Sequence, residues 1–172
     1  MQPSQSPIRK DATLRHVARI LIVGAGGFGR EVLQWLGAAW PDRKASVAGF
    51  LSADPAALAG RSVAVPILGD PATFEPEPGD GFLLAIGTPG VRRRVAEDLE
   101  ARGAEFLTLI HPTAVVASTA VIGPGSILCP YAIASDAVRL GRFTLMNYHS
   151  SLGHDATTGD FAVHSPYATL GG

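Results

Sequence analysis

The chain has little that would support disulfide, membrane or polyanion chemistry. Cys129 is its single cysteine, which excludes an internal disulfide and fits a reducing cytoplasm. Set inside a repeat, it reads as a small buried residue rather than a nucleophile. The 14 Lys plus Arg are matched by 15 Asp plus Glu, so no net field recruits nucleic acid or an anionic membrane. No apolar run nears the roughly 18–20 residues of a membrane span. Residues 1–17 carry Gln, Ser, Pro and scattered charge without an apolar core, and read as a flexible leader rather than a targeting peptide. The 172 residues leave room for one large domain or two small ones with real cores.

What is present in abundance is a period of six. From Ile110 through Val116, Ile122 and Leu128 to Leu152, every sixth residue is aliphatic, and the register continues through Thr158 and His164 to Leu170. The register running from Ala114 to Ala168 is small or β-branched throughout. Helices repeat near 3.6 and strands near 2, whereas a hexapeptide period marks a parallel β-helix, with short strands stacked around a narrow interior. If three hexads close a coil, residues 18 apart stack about 4.8 Å from one another. The expected coil covers 110–172 and reads as incomplete, because Gly171-Gly172 arrives in mid-pattern.

Before the repeat, 18–109 reads as a Rossmann-like α/β unit. The apolar run Arg19-Ile20-Leu21-Ile22-Val23 suits a buried parallel strand and runs into Gly24-Ala25-Gly26-Gly27-Phe28-Gly29. A helix is expected over 30–40, stopped by Pro41. Strands are expected at 46–51, 82–86 and 106–110, with a second helix over 90–102. Gly24, Gly26 and Gly29 match G-x-G-x-x-G between strand and helix, where glycines admit a ligand to the backbone and free N–H groups meet an anion. A nucleotide-type ligand and a purely structural turn both remain open. A nicotinamide dinucleotide would want an acid at the end of the second strand, and Leu51-Ser52-Ala53-Asp54 supplies one only late. In Arg92-Arg93-Arg94, the i,i+4 pairs Arg93–Glu97 and Arg94–Asp98 describe a solvated face, while Arg92 is a candidate to meet a phosphate.

His149, His154 and His164 fall at different positions around an 18-residue coil, so a shared metal is not expected. His154-Asp155 after Gly153 is more informative. The pair sits at an outward corner, where a neutral imidazole can take a proton from a nucleophile and a carboxylate can stabilise the imidazolium. Asp155 is the adjacent partner. Asp136, 18 residues back, is a second. A surface histidine at a turn is the plain alternative.

Taken together, Ile22-Val23-Gly24-Ala25-Gly26-Gly27-Phe28-Gly29, Gly49-Phe50-Leu51, Ala85-Ile86-Gly87, His111-Pro112 and Gly153-His154-Asp155 resemble the sugar acyltransferases of the hexapeptide-repeat superfamily. The nearest group contains bacterial nucleotide-sugar N-acetyltransferases and sialic acid O-acetyltransferases. That resemblance implies a Rossmann-like unit binding a sugar nucleotide, a left-handed β-helix, a homotrimer with sites between neighbouring coils, and acetyl-CoA as co-substrate without a metal. It implies His154 as general base and Asp155 as the residue raising its basicity. Gly26, Gly27, Phe28, Ser52, Ala53 and Gly87 would line the nucleotide pocket, and Asn147 would lie near the acceptor. Gly172 matches a coenzyme-contacting position. Some relatives carry a second coenzyme-contacting histidine where this chain has Val163, so His164, one residue on, is carried as the candidate. Ser52-Ala53 replace the paired aspartates that relatives often have, so uridine recognition does not carry over. Acetyl transfer to an amino or hydroxyl group of a sugar is the leading expectation. A nucleotide-binding module trimerised by a short β-helix, without chemistry, is the alternative from another class.

Overall fold

The computed structural model describes residues 14–172. Its α/β unit is a five-stranded parallel sheet in the order β3-β2-β1-β4-β5. The strands are β1 (Arg19–Val23), β2 (Val47–Leu51), β3 (Ile67–Gly69), β4 (Asp80–Leu84) and β5 (Glu105–Phe106). Helix α1 (Gly27–Ala39) follows β1, and α2 (Pro89–Ala101) follows β4. β1 lies between β2 and β4 and is buried from Ile20 to Val23, as a central parallel strand covered on both faces must be.

The strand expected over 82–86 runs two residues earlier, as β4, and three further features depart from the sequence reading. α1 starts at Gly27 instead of residue 30, because its first turn is built from the glycine loop itself. The three-residue β3 was not anticipated; it is too short to show a period. The strand expected over 106–110 is two strands, one closing the α/β sheet and β6 (Leu109–Ile110) opening the coil. Residues 1–13 of the expected leader lie outside the described residues. Leu14 and Val17 are buried in the α/β core, and Arg43 donates to both of their carbonyls, so that core begins before the boundary placed at residue 18.

The coil is a ladder of two-residue strands, recurring every six residues from Leu109–Ile110 to Thr169–Leu170. They stack into three parallel sheets whose partners lie 18 residues apart, as in Ile133↔Ser151, Arg139↔Thr157 and Leu145↔Val163. Both registers read from the sequence point inward. Leu128, Ala134, Met146 and Leu152 are fully buried, and so are Ser126, Ala132, Val138, Thr144 and Ser150 of the small register. The buried hydroxyls of the small register are satisfied at carbonyls, Thr144 Oγ1 at Gly141 (2.9 Å) and Ser150 Oγ at Asn147 (2.7 Å), so they add little desolvation cost, whereas Thr158 Oγ1 at the other inward register is buried without a partner.

The two units share their cores. Leu109, Ile127 and Leu145 face out of one coil sheet into the cluster that holds Ile20, Ile22 and Phe50. Phe143 and Phe161, stacked at 4.9 Å, join Phe82 and Phe106 in a second cluster. Arg92, fully buried, locks this joint: Nε donates to the Phe143 carbonyl (2.8 Å) and Nη1 to those of Leu84 (2.6 Å) and Ile86 (2.9 Å).

Candidate active site

Two places bring the sequence candidates together: a crevice at the C-terminal ends of the α/β strands, and a corner of the coil. In an open α/β sheet, ligands bind where the strand order reverses, here between β1 and β4. Gly24 has φ +108, and a Cβ on it would lie 2.6 Å from the Ala85 carbonyl oxygen; a Cβ on Gly29 would lie 1.9 Å from that of Gly24. Folding alone therefore requires these two glycines. It does not require Gly26, Gly27 or Gly87, where a Cβ would meet no backbone and the residues are exposed. The first turn of α1 carries no acidic residue and no side-chain cap, which leaves its N–H groups open to an anion.

Beside this loop is a cavity of about 320 Å³, lined by Gly24, Leu51, Ser52, Ala53 and Ile86 and, across from them, by Asp70–Ala72 and the α2 residues Val91, Arg94, Val95 and Asp98. Of the predicted pocket residues, Ser52 and Ala53 line it. Gly26 and Gly87 stand on exposed loops, Gly27 is the exposed first residue of α1, and Phe28 is half-buried, edge-on to Trp35 at 6.1 Å. Arg92 does not face the crevice. Its Nε and Nη1 are spent on backbone carbonyls, its Nη2 is buried without a partner, and burial lowers its pKa to about 10. The cavity-facing arginine is Arg94. Its helical stripe Val91–Arg94–Val95–Asp98 follows i, i+3, i+4, i+7 and was legible in principle; the adjoining charges hid it.

At the coil corner, His154 and Asp155 are both exposed, and His154 Nδ1 lies 2.9 Å from Asp155 Oδ2. An ionised carboxylate only accepts, so the neutral ring carries its proton on Nδ1 and turns the Nε2 lone pair outward. Asp155 has φ +61, and its N–H donates to the Asp136 carbonyl (2.9 Å). Asp136 is not the partner of His154, since its carboxylate takes the Thr119 hydroxyl. Gly172 packs against the histidine: a Cβ there would lie 2.8 Å from His154 Nδ1 and 2.5 Å from the His154 carbonyl oxygen. His164 is not gathered here. It pairs with Met146 at the inward register, its Nε2 is buried without a partner, and burial lowers its pKa. Asn147 stands at another corner, its Oδ1 accepting the Tyr148 N–H. Cys129 is buried, and burial pushes its thiol pKa far up, which fits a packing role. Among the described residues, no group of His, Cys, Asp and Glu is placed to hold a metal ion, and no helix is long and apolar enough to cross a membrane.

Residues 19–99 match the family described as the PglD N-terminal domain. Over 153 residues the chain is 31% identical to a GDP-perosamine N-acetyltransferase of Escherichia coli O157:H7, covering 88% of this chain and 69% of that one. WeeI from Acinetobacter baumannii AYE has the same architecture, with a TM-score of 0.77 at 28% identity over 90% of this chain and 72% of that one. The acetyltransferase domain of PglB from Neisseria gonorrhoeae FA1090, solved in complex with acetyl coenzyme A, shares the fold at 21% identity and TM-score 0.52, over 90% of this chain and 85% of that one.

Proposed function

The chain belongs to the hexapeptide-repeat sugar acetyltransferases, and from that premise we propose that it moves acetyl from acetyl-CoA to the amino group of a nucleotide-linked sugar. The α/β crevice holds the nucleotide, with phosphates on the open N-terminus of α1 and the glycine loop. The coil corner performs the transfer. The carrying observation is the His154–Asp155 pair at 2.9 Å on an exposed corner.

The sugar amine attacks the thioester carbonyl carbon and a C–N bond forms. His154 Nε2 takes the proton released from nitrogen, while Asp155 stabilises the imidazolium through Nδ1–H. The C–S bond then breaks and the coenzyme leaves as a thiolate, which takes the proton back from His154 to become the free thiol. Gly172 keeps the face of the imidazole clear of a side chain. No step calls for a metal.

The uncharged outer positions Val115, Ile133, Ser151 and Thr169 on one coil sheet suit packing against further copies, and the assembly we favour is a homotrimer. An unpaired buried thiol suits the cytoplasm. The test is release of free thiol from acetyl-CoA in the presence of nucleotide-linked amino sugars. His154→Ala should lose about 10²–10⁴-fold in kcat. Asp155→Asn, which tolerates the same left-handed backbone, should lower kcat with the fold intact. Equal turnover by His154→Ala and the parent would reject the assigned base.

A further inference from the structure

We infer that the α/β cavity selects guanine among nucleobases, with Arg94 and Asp98 as its specificity-determining residues; the inference rests on the reading of this crevice as a nucleotide site. Leu51, Ile86, Val91 and Val95 give the cavity apolar walls, suited to the faces of a flat base. Its charged side chains are Asp70, Arg94 and Asp98. Asp70 is already used: its Oδ1 accepts the Ala72 N–H at 2.8 Å. Arg94 and Asp98 lie one helical turn apart and, among the described residues, form no ion pair with each other, although Arg93 and Glu97 at the same spacing do pair, at 3.5 Å. A cation and a carboxylate that could neutralise each other instead both face the cavity. The opposite wall is fixed, because Arg102 at the end of α2 donates to the carbonyls of Pro71 and Ala72.

Donors from Arg94 beside the two acceptor oxygens of Asp98 form a template that the bases fill unequally. Guanine offers an acceptor (O6) and then two adjacent donors (N1–H and the 2-amino group), and matches every position. Uracil offers acceptor, donor, acceptor, so its O2 would face the second carboxylate oxygen. Adenine and cytosine present a donor beside a ring acceptor, the reverse of the template. A site built to pair hydrogen bonds rejects a ligand that leaves a partner unpaired more strongly than it rejects a poor fit.

Calorimetry with GDP, UDP and ADP on the full chain tests this. GDP should bind about tenfold or more tighter than UDP, with ADP weakest. Asp98→Asn removes a negative charge and so favours every nucleoside diphosphate equally by Coulomb's law; the readout is therefore the GDP/UDP ratio, which should collapse to within a few-fold. Asp98 is exposed on the helix surface, so the variant keeps its fold. Arg93→Gln, outside the cavity, should leave the ratio unchanged. A parent protein that prefers UDP, or a ratio untouched by Asp98→Asn, overturns the guanine assignment and leaves the nucleotide site standing. No binding of any nucleoside diphosphate at millimolar concentration overturns both.

Discussion

The α/β unit and the coil treat the left-handed backbone differently. In the α/β unit, positive φ falls only on glycine among the described residues, and Gly24, Gly79 and Gly103 reach +108°, +91° and +89°, outside the small region open to other L-residues. In the coil, after Gly125, positive φ recurs every six residues on Tyr131, Ala137, Phe143, His149, Asp155, Phe161 and Tyr167, all between +54° and +62°, at the left-handed minimum. Each corner N–H is also taken by the coil before it, as in Phe143 to Pro124 (2.8 Å), Asp155 to Asp136 (2.9 Å) and Phe161 to Arg142 (2.8 Å). Corner side chains stack on their equivalents one coil away, Tyr131, His149 and Tyr167 at 4.9 and 5.0 Å. A loop needs glycine at such a turn. A repeat supports the turn from its neighbours and leaves the corner side chain free, which is how Asp155 comes to stand beside His154.

The largest effect is expected where the two regions meet. Phe143 is a left-handed corner residue that also belongs to the α/β core, stacked on Phe161 and edge-on to Phe106 at 4.9 Å each. Phe143→Ala should cost about 3–5 kcal/mol, read by urea unfolding. It should also separate one transition into two, since the joint that couples the units is hollowed out. A single transition with little loss would mean that the two units do not depend on this joint.

A smaller, pH-dependent loss is expected at the far end of the α/β sheet. Burial alone would raise the Asp80 carboxyl pKa, but hydrogen bonds from Arg19 and from the Glu77 N–H (3.0 Å) outweigh it and hold it below the ordinary range. The carboxylate therefore stabilises the fold above its unfolded pKa of about 3.9, and that stability is lost as pH falls through the folded value. Asp80→Asn should cost about 1–3 kcal/mol at pH 7 and flatten the acid limb of the stability curve.

The same contrast explains what the sequence revealed. The coil was legible almost to the residue, because each inward position repeats a rule, and one wrong reading would have broken the period across ten others. The pairing partners 18 apart and the His154–Asp155 corner follow from that lattice. The α/β unit yielded its glycine loop and central strand, but not β3 or the cavity wall. Asp70, Arg94 and Asp98 come together only when a three-residue strand and one face of α2 are set opposite each other. The i,i+4 spacing places Arg93 with Glu97 as the fold does, but it also reads Arg94–Asp98 as a solvent pair and Arg92 as a phosphate ligand, whereas the fold sends Arg94 to the cavity and Arg92 to a buried joint. His164 could be placed at the inward register, yet its lack of a partner there has no sequence signature.

The finest test asks whether the corners are strained at all. Gly103, at the end of α2, has φ +89 and no atom within 4 Å of a built Cβ, so Gly103→Ala isolates the backbone cost, expected as a loss of about 1 kcal/mol. Ala137 has φ +55 in the coil, and its N–H is held by Thr119 Oγ1 at 3.0 Å. Were it strained like a loop residue, Ala137→Gly would mirror the first substitution and stabilise by a similar amount. At the left-handed minimum the relief is smaller, and the added freedom of glycine in the unfolded chain offsets it. The expected change is within about 0.5 kcal/mol of zero, measurable as a shift in urea midpoint with an unchanged slope. A gain near 1 kcal/mol would show that the coil tolerates its corners without supporting them.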